Sequence, residues 1–329
     1  MGRIGLTGIL SLAVPTAALA IDAPPKRAHH ALVYDESREQ VLLTGGSTPL
    51  NRGQSFQFFN DVWSFDGATW RLLAESGDRL SGIGLAYDTR RGRVVSFAGY
   101  NGQTADALRS LDGKEWRVLG RFAEMAAAEP GFVYDAERDR FVVFGGSAGQ
   151  GRATGDTWEY DGTAWTRVAV AEPPPPRQAH AMVYDQRRKR TVLFGGMGSA
   201  KPGQPPPSLA DTWEYDGRSW TRREASGPSA RHAAGVAYDS KRGLVVLFGG
   251  AGADGFLGDT WVWDGAAWKK LSDSGPEPRA MGYLAYDKRR DRIVLFGGRK
   301  GWPDGDLNDT WEWDGASWRR IGAPAPAGP

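Results

Sequence analysis

Arginine and histidine recur where one strand-like segment of this sequence repeatedly begins. Arginine stands seven residues before a tyrosine in four places: Arg27, Arg177, Arg231 and Arg279. A histidine accompanies three of these arginines: His30, His180 and His232. Guanidinium groups make charge-assisted hydrogen bonds, so four of them at one opening predict a site for an anionic ligand. The alternative is that these side chains only satisfy neighbouring strands, and the sequence leaves both interpretations open.

Aromatic residues mark two variable segments near the ends of the repeated region. Trp302 lies in "GRKGWPDGDLND", and Phe56 and Phe58 lie in "GQSFQFFND". Such rings on adjacent loops stack on a sugar or anchor a protein partner. The alternative is that each loop folds a small apolar cluster of its own.

The segment after Trp302 also carries oxygen ligands at alternating positions. They are Asp304, Asp306 and Asn308. This spacing partly matches calcium-binding loops, so it predicts a calcium site on a partial match alone. We expect no other cofactor.

The elements that must position these residues are repeated. Tyr-Asp recurs six times at intervals of 47 to 54 residues. An arginine follows each tyrosine by four residues, a small pair such as Gly-Gly by eleven, and Asp-Gly-x-x-Trp ends each copy. Each arginine is expected to pair with the preceding aspartate across a tight turn. A period near fifty residues indicates one supersecondary unit per copy.

Each copy contains four strand-like segments and no helical periodicity. In the fourth copy they are "HAMVYD", "TVLFGG", "DTWEYD" and "SWTRR". The pattern predicts an all-β, six-bladed β-propeller with four antiparallel strands per blade. The predicted blades cover about 27–73, 79–119, 127–168, 177–223, 231–271 and 279–321. The repeated tryptophans should pack between blades, and blade six should close the ring against blade one, unless another strand frame applies.

These residues resemble the kelch repeat across nearly the whole repeated region, residues 27–321. We expect the variable loops after each small pair to emerge on one face. The resemblance implies a fold shared with galactose oxidase and a sialic-acid epimerase. A copper site of the galactose-oxidase type needs a Tyr–Cys crosslink. This chain contains no cysteine.

Composition and the N-terminus narrow the remaining choices. The formal net charge is +2 without a basic stripe, so we expect no nucleic-acid partner. Residues 1–20 have the layout of a secretory signal, with cleavage after Ala20, although a retained anchor is the alternative. A linker would occupy 21–26 and a Pro/Ala/Gly-rich tail 322–329. We expect a periplasmic or secreted, monomeric propeller without a membrane span after cleavage.

The sequence favours binding over catalysis. We expect an exported module that recognises a protein or a glycan through its loop face and channel mouth. A carbohydrate-active enzyme such as a sialic-acid mutarotase, and a scaffold of an envelope assembly, are the alternatives. No catalytic residue is predicted.

Overall fold

The computed structural model describes residues 23–125 and 127–322, and these residues form six four-stranded antiparallel blades around a central channel. The predicted fold class, an all-β six-bladed propeller, is confirmed. The predicted signal at 1–20 lies outside the described residues and stays a prediction, as does nearly all of the tail. In the part of the chain that is described, no helix is long and apolar enough to cross a membrane.

The strands follow the repeat. Blades one to three contain β1 Ala28–Asp35, β2 Gln40–Leu50, β3 Ser55–Phe58, β4 Asp61–Phe65, β5 Trp70–Glu75, β6 Gly84–Asp88, β7 Arg93–Phe97, β8 Ala107–Asp112, β9 Glu115–Arg121, β10 Gly131–Asp135, β11 Arg140–Phe144, β12 Thr157–Tyr160 and β13 Trp165–Val168. Blades four to six contain β14 Arg177–Gln178, β15 Ala181–Asp185, β16 Arg190–Phe194, β17 Met197–Gly198, β18 Thr212–Tyr215, β19 Trp220–Arg223, β20 Gly235–Asp239, β21 Leu244–Phe248, β22 Ala251–Gly252, β23 Gly255–Phe256, β24 Thr260–Trp263, β25 Trp268–Ser272, β26 Tyr283–Asp287, β27 Arg292–Arg299, β28 Asp306–Trp313 and β29 Trp318–Ile321. Short 3₁₀ turns occupy Asn51–Gly53 and Ala123–Met125.

The first long strand of each blade lies innermost. These strands, β1, β6, β10, β15, β20 and β26, contact one another in a closed circle around the channel. The strand after each of them is almost continuously apolar because both of its faces are covered, as in β21, where four of five residues are buried. The loops after the Gly-Gly pairs and the starts of the inner strands meet at one end of the channel, which we call the loop face.

Tryptophans and apolar strands fill the spaces between blades, and buried clusters span each of the six blade junctions. In four junctions an indole N–H also donates a hydrogen bond to a threonine of the preceding blade. These bonds are Trp70 to Thr310, Trp220 to Thr157, Trp268 to Thr212 and Trp318 to Thr260. The repeated tryptophan therefore both packs and orients the blade, as its repetition predicts.

The opposite end of the channel, the turn face, is held by the repeated arginines. Each one pairs with the aspartate three residues earlier, as predicted: Arg38, Arg91, Arg138, Arg188, Arg242 and Arg290. The guanidinium also reaches the Asp-Gly turn of the next blade. Arg38 donates to the Gly113 carbonyl, and Arg290 of blade six lies beneath Gly67 of blade one. Gly67 has φ +103°, and a Cβ there would lie 2.5 Å from the Arg290 guanidinium, so this turn requires glycine.

Blade six closes the ring by packing on blade one without exchanging a strand, because the four main strands of each blade come from one stretch of sequence. The Arg27 N–H donates to the Leu307 carbonyl, and the Arg27 carbonyl accepts from the Gly298 N–H, each at 3.0 Å. Arg279 makes the same pair of bonds to Leu257 and Gly250 inside the ring. In this pair of backbone bonds the closing junction matches an internal one.

Candidate functional site

The four arginines expected at an anion site lie inside the blades. Arg27 is fully buried, and its guanidinium binds both carboxylate oxygens of Asp61 at 2.5 and 2.6 Å. It also donates to the Gly45 and Pro25 carbonyls. The equivalent pairs are Arg177 with Asp211, Arg231 with Asp259 and Arg279 with Asp309.

This placement corrects the sequence-based picture of an arginine-rich mouth. Each guanidinium joins the first strand of its blade to the Asp-x-Trp segment, and the Trp63 indole N–H donates to the same Asp61 carboxylate. Removing one partner of a buried ion pair leaves an unpaired charge, which typically costs about 3–5 kcal/mol. These arginines therefore hold the blades together and do not face the channel mouth.

Two of the predicted histidines are also interior residues. His30 packs edge-on against Tyr283 and Phe296, and His180 packs edge-on against Phe144. Neither ring makes a side-chain hydrogen bond to the described residues. Burial, followed by the nearby Arg177 charge, lowers the pKa of His180 to about 3. Burial likewise lowers the pKa of His30. Both rings are neutral packing elements.

The three residues predicted to bind calcium do not form a common coordination site. Asp306 is buried, and its carboxylate accepts from the Arg299 guanidinium at 2.6 and 3.2 Å, while Asp304 and Asn308 are exposed. Within the described ranges no group of three or more His, Cys, Asp or Glu residues could hold a metal ion. Arg299 occupies the place that a cation would need beside Asp306.

The aromatic residues, in contrast, come together on the loop face. The ring centroids of Trp302 and Phe56 are 5.9 Å apart, and those of Phe56 and Phe58 are 6.2 Å apart. Tyr100 of blade two extends the row, 6.2 Å from Phe58. Trp302 is 58% exposed, Phe56 41% and Tyr100 42%. We call these four residues the aromatic row. It crosses from blade six over blade one to blade two.

Arg299 supports one end of the aromatic row. Its guanidinium lies 4.9 Å from the centre of the Trp302 ring while it pairs with Asp306. Trp302 also covers Gly53, where an added Cβ would lie 2.6 Å from the indole. The indole is thus positioned from below and exposed above.

A ring of left-handed residues surrounds the channel mouth. Each blade places one residue with positive φ five positions before its repeated tyrosine: His29, Gly82, Glu129, Ala179, Ala233 and Met281. The N–H of each residue from Gly82 to Met281 donates to the carbonyl of the one before it, at 2.7 to 3.2 Å. This backbone belt fixes five blade-to-blade steps and sets which side chains surround the mouth.

Within this belt His29 and Glu129 meet across Gly82. His29 Nδ1 lies 2.5 Å from Glu129 Oε1, although the two residues belong to blades one and three. A side chain on Gly82 would prevent this contact, because a Cβ there would lie 2.8 Å from Glu129 Cγ. An imidazole and a carboxylate therefore form a paired polar group at the mouth.

The charge state of Glu129 follows from its surroundings. Burial raises the pKa of its carboxyl. The charge of His29, the hydrogen bond to His29 and then the charge of His232 lower the pKa by a larger amount, so the net pKa lies below the ordinary value. His232, the third predicted histidine, is bonded to Ser208 and has a pKa that is lowered by burial. Glu129 is therefore ionised at neutral pH.

The aromatic row and the belt enclose one cavity of about 280 Å³, which we call the mouth pocket. Phe56, Phe58 and Tyr100 line one side, and His29 and Glu129 line another. Its size is close to the lower end of ligand pockets. Sequence reasoning missed Tyr100, His29 and Glu129 as site residues. In the sequence these residues are marked only because each differs from the residues that hold the same repeat position in the other blades.

The comparisons with known proteins agree with this architecture. A sequence model described as the KLHDC2/KLHL20/DRC7 Kelch-repeats domain matches residues 92–262, which is more than half of the chain. The dynein alpha chain of the flagellar outer arm of Chlamydomonas reinhardtii is 30% identical over 43% of this chain. Dynein regulatory complex subunit 7 of the same organism is 32% identical over 33%, and Mei4-dependent protein 6 of Schizosaccharomyces pombe is 30% identical over 36%. The matched segments make up only 3%, 10% and 18% of those three proteins.

Proposed function

Because the chain belongs to the kelch-repeat family, we propose that it is a binding module whose loop face docks a protein partner. The observation that carries the proposal is the aromatic row, in which the exposed Trp302, Phe56 and Tyr100 and the half-buried Phe58 form a continuous surface beside a pocket. Exposed aromatic clusters with an adjacent cavity are typical of binding hot spots.

Two further features support docking at this face. The backbone belt and the covered side of Trp302 hold the surface in place, so a partner would lose little binding free energy in ordering it. One relative is by name a subunit of a regulatory complex. A role in an assembly is consistent with that name.

The second candidate is recognition of a glycan by the same surface. Phe58 and Tyr100 provide ring faces, and Glu129 and His29 provide hydrogen-bonding groups beside them. Protein docking is the first choice because the aromatic row extends well beyond the pocket to Trp302.

The test is selection of peptides from a random library against the full chain, with glycans screened in parallel. For the selected peptides, Trp302→Ala should weaken binding by about tenfold or more, the usual effect of removing a hot-spot aromatic. Leu72→Ala is the matched control, because Leu72 is 42% exposed on β5 and lies outside the aromatic row. Fluorescence polarisation measures each Kd.

Two results would contradict protein docking. One is equal affinity of the wild-type protein and the Trp302→Ala variant for every selected peptide. The other is selection of glycans with no enriched peptide, which would favour the second candidate. Both variants should keep the wild-type melting temperature within a few degrees, since neither side chain belongs to the buried cluster of a blade junction.

A further inference from the structure

The mouth pocket is lined by few ionisable side chains. Among the described residues that line it, Glu129 is the only carboxylate and none is Lys or Arg. His29 is the only basic side chain among those lining residues. The pocket therefore offers a ligand one carboxylate, without a Lys or Arg side chain that would compete for it.

Half of the Glu129 carboxylate is available to a ligand. Oε1 is paired with His29, and no donor among the described residues bonds to Oε2. The side chain retains 16% of its exposure, so water or a ligand reaches it from the pocket. An ionised carboxylate with one unused oxygen favours a cationic hydrogen-bond donor over an anion or a neutral group.

The walls of the pocket suit the same chemistry. Phe58 and Tyr100 both line the pocket, and their ring planes meet at 66°, so their faces point in different directions. Ring faces attract cations, most strongly where water is partly excluded. The four arginines that the sequence placed at an anion site are buried in the blades.

We propose that the mouth pocket binds a guanidinium or alkylammonium group, presented by a basic side chain of the docked partner. Glu129 is the counter-ion, and Phe58 and Tyr100 are the aromatic walls. The inference deepens the proposed function by naming the chemistry that the partner offers at the centre of the loop face, and in that respect it rests on the proposed function.

The test compares the binding of two amino-acid probes with blocked termini to the full chain at low salt. They are N-acetyl-arginine amide and its neutral isostere N-acetyl-citrulline amide. Ligand-observed NMR titration should show the arginine probe binding about tenfold tighter or better, because only it pairs with a carboxylate. Glu129→Gln should remove that preference. Glu137→Gln should not, since Glu137 is an exposed partner of Lys189 near the turn face.

A second variant guards against a folding defect in Glu129→Gln. His29→Ala frees Oε1, so it should strengthen arginine binding while Glu129→Gln weakens it. Opposite signs at two contacting residues cannot arise from a shared loss of structure. Equal binding of both probes, or an arginine preference that survives Glu129→Gln, overturns the inference.

The two proposals fail in different ways. Selected peptides that need Trp302 but tolerate citrulline at every arginine position would overturn the cation site alone. Arginine-probe binding that depends on Glu129, without any selected peptide, would keep the cation site and overturn protein docking. In that case tetramethylammonium and agmatine would establish whether a free small cation is the natural class of ligand.

Discussion

Buried histidines give this protein a residue-scale dependence on acid. His180 has a folded-state pKa of about 3, against 6.5 for the free imidazole. The unfolded chain therefore takes up protons below pH 6.5 while folded His180 stays neutral. Stability from this group is complete above pH 6.5 and is lost as the pH falls toward the folded pKa.

We predict that acid destabilises the wild-type protein more steeply than the His180→Gln variant. Between pH 6.5 and 4, each buried neutral histidine lowers the free energy of unfolding by about 1.4 kcal/mol for each unit by which the pH falls. Denaturant unfolding at several pH values measures this slope. The substitution itself lowers stability at every pH, so the comparison concerns slopes only. Parallel slopes in the two proteins would contradict the burial of a neutral imidazole.

The same residue scale separates what sequence predicts at the site from what it does not. Phe56 and Trp302 could be placed together because ring closure makes blades six and one neighbours. The His29–Glu129 pair could not, because it depends on left-handed backbone at both residues and on the missing side chain of Gly82. The prediction for the four arginines was wrong because the sequence pattern of a repeated arginine is the same whether it pairs inside its own blade or faces the channel.

At the scale of the blade, the repeat predicted the four strands because each has its own signature. Alternating aromatic residues mark the third strand, and an apolar run marks the second. Blade two departs from this pattern in an instructive way. Arg109 stands where other blades have tryptophan and pairs with Asp78, so the ion pair persists with its charges exchanged between the strands. Sequence alone showed only that the repeat was degenerate here.

Blade two also leaves an unsatisfied donor in its neighbour. The buried Trp165 indole N–H has no partner among the described residues, because Leu108 stands where four other blades supply a threonine acceptor. Trp165 otherwise packs on Phe97 at 5.2 Å, as Trp268 packs on Phe194 at 5.1 Å. The defect is therefore one missing hydroxyl in an otherwise equivalent junction.

Replacing Leu108 with threonine should supply that acceptor. Leu108→Thr is expected to be about 1 kcal/mol more stable than Leu108→Val, which has the same shape without the hydroxyl. Blade one already has Val62 at this place, so a β-branched residue fits the strand. Urea unfolding of the two variants gives the difference. A valine variant as stable as the threonine variant would mean that Trp165 already bonds to water.

At the scale of the whole molecule, the ring is closed by non-covalent contacts between blades six and one. The Trp70–Thr310 bond at 2.8 Å, the Arg27 backbone bonds and the Lys288–Glu36 ion pair all join blade six to blade one. Chain connectivity contributes nothing at this junction, whereas a peptide segment joins the blades at every other one. Its strength must come from contacts equivalent to the indole, arginine and packing contacts of the internal junctions, because the backbone belt covers only the five internal steps.

Matched substitutions at the closing junction and at an internal one test this equivalence. Thr310→Val removes the acceptor of Trp70, and Thr212→Val removes that of Trp268. Both tryptophans are buried, so each variant leaves a buried donor unpaired and should lose about 1–3 kcal/mol of unfolding free energy. Equal losses by denaturant unfolding indicate a ring that is closed in solution and unfolds as one unit. A Thr310→Val variant as stable as wild type, beside a destabilised Thr212→Val variant, would show that blades six and one separate. The aromatic row spans that junction, so an open ring would also divide Trp302 from Phe56 and remove the binding surface proposed here.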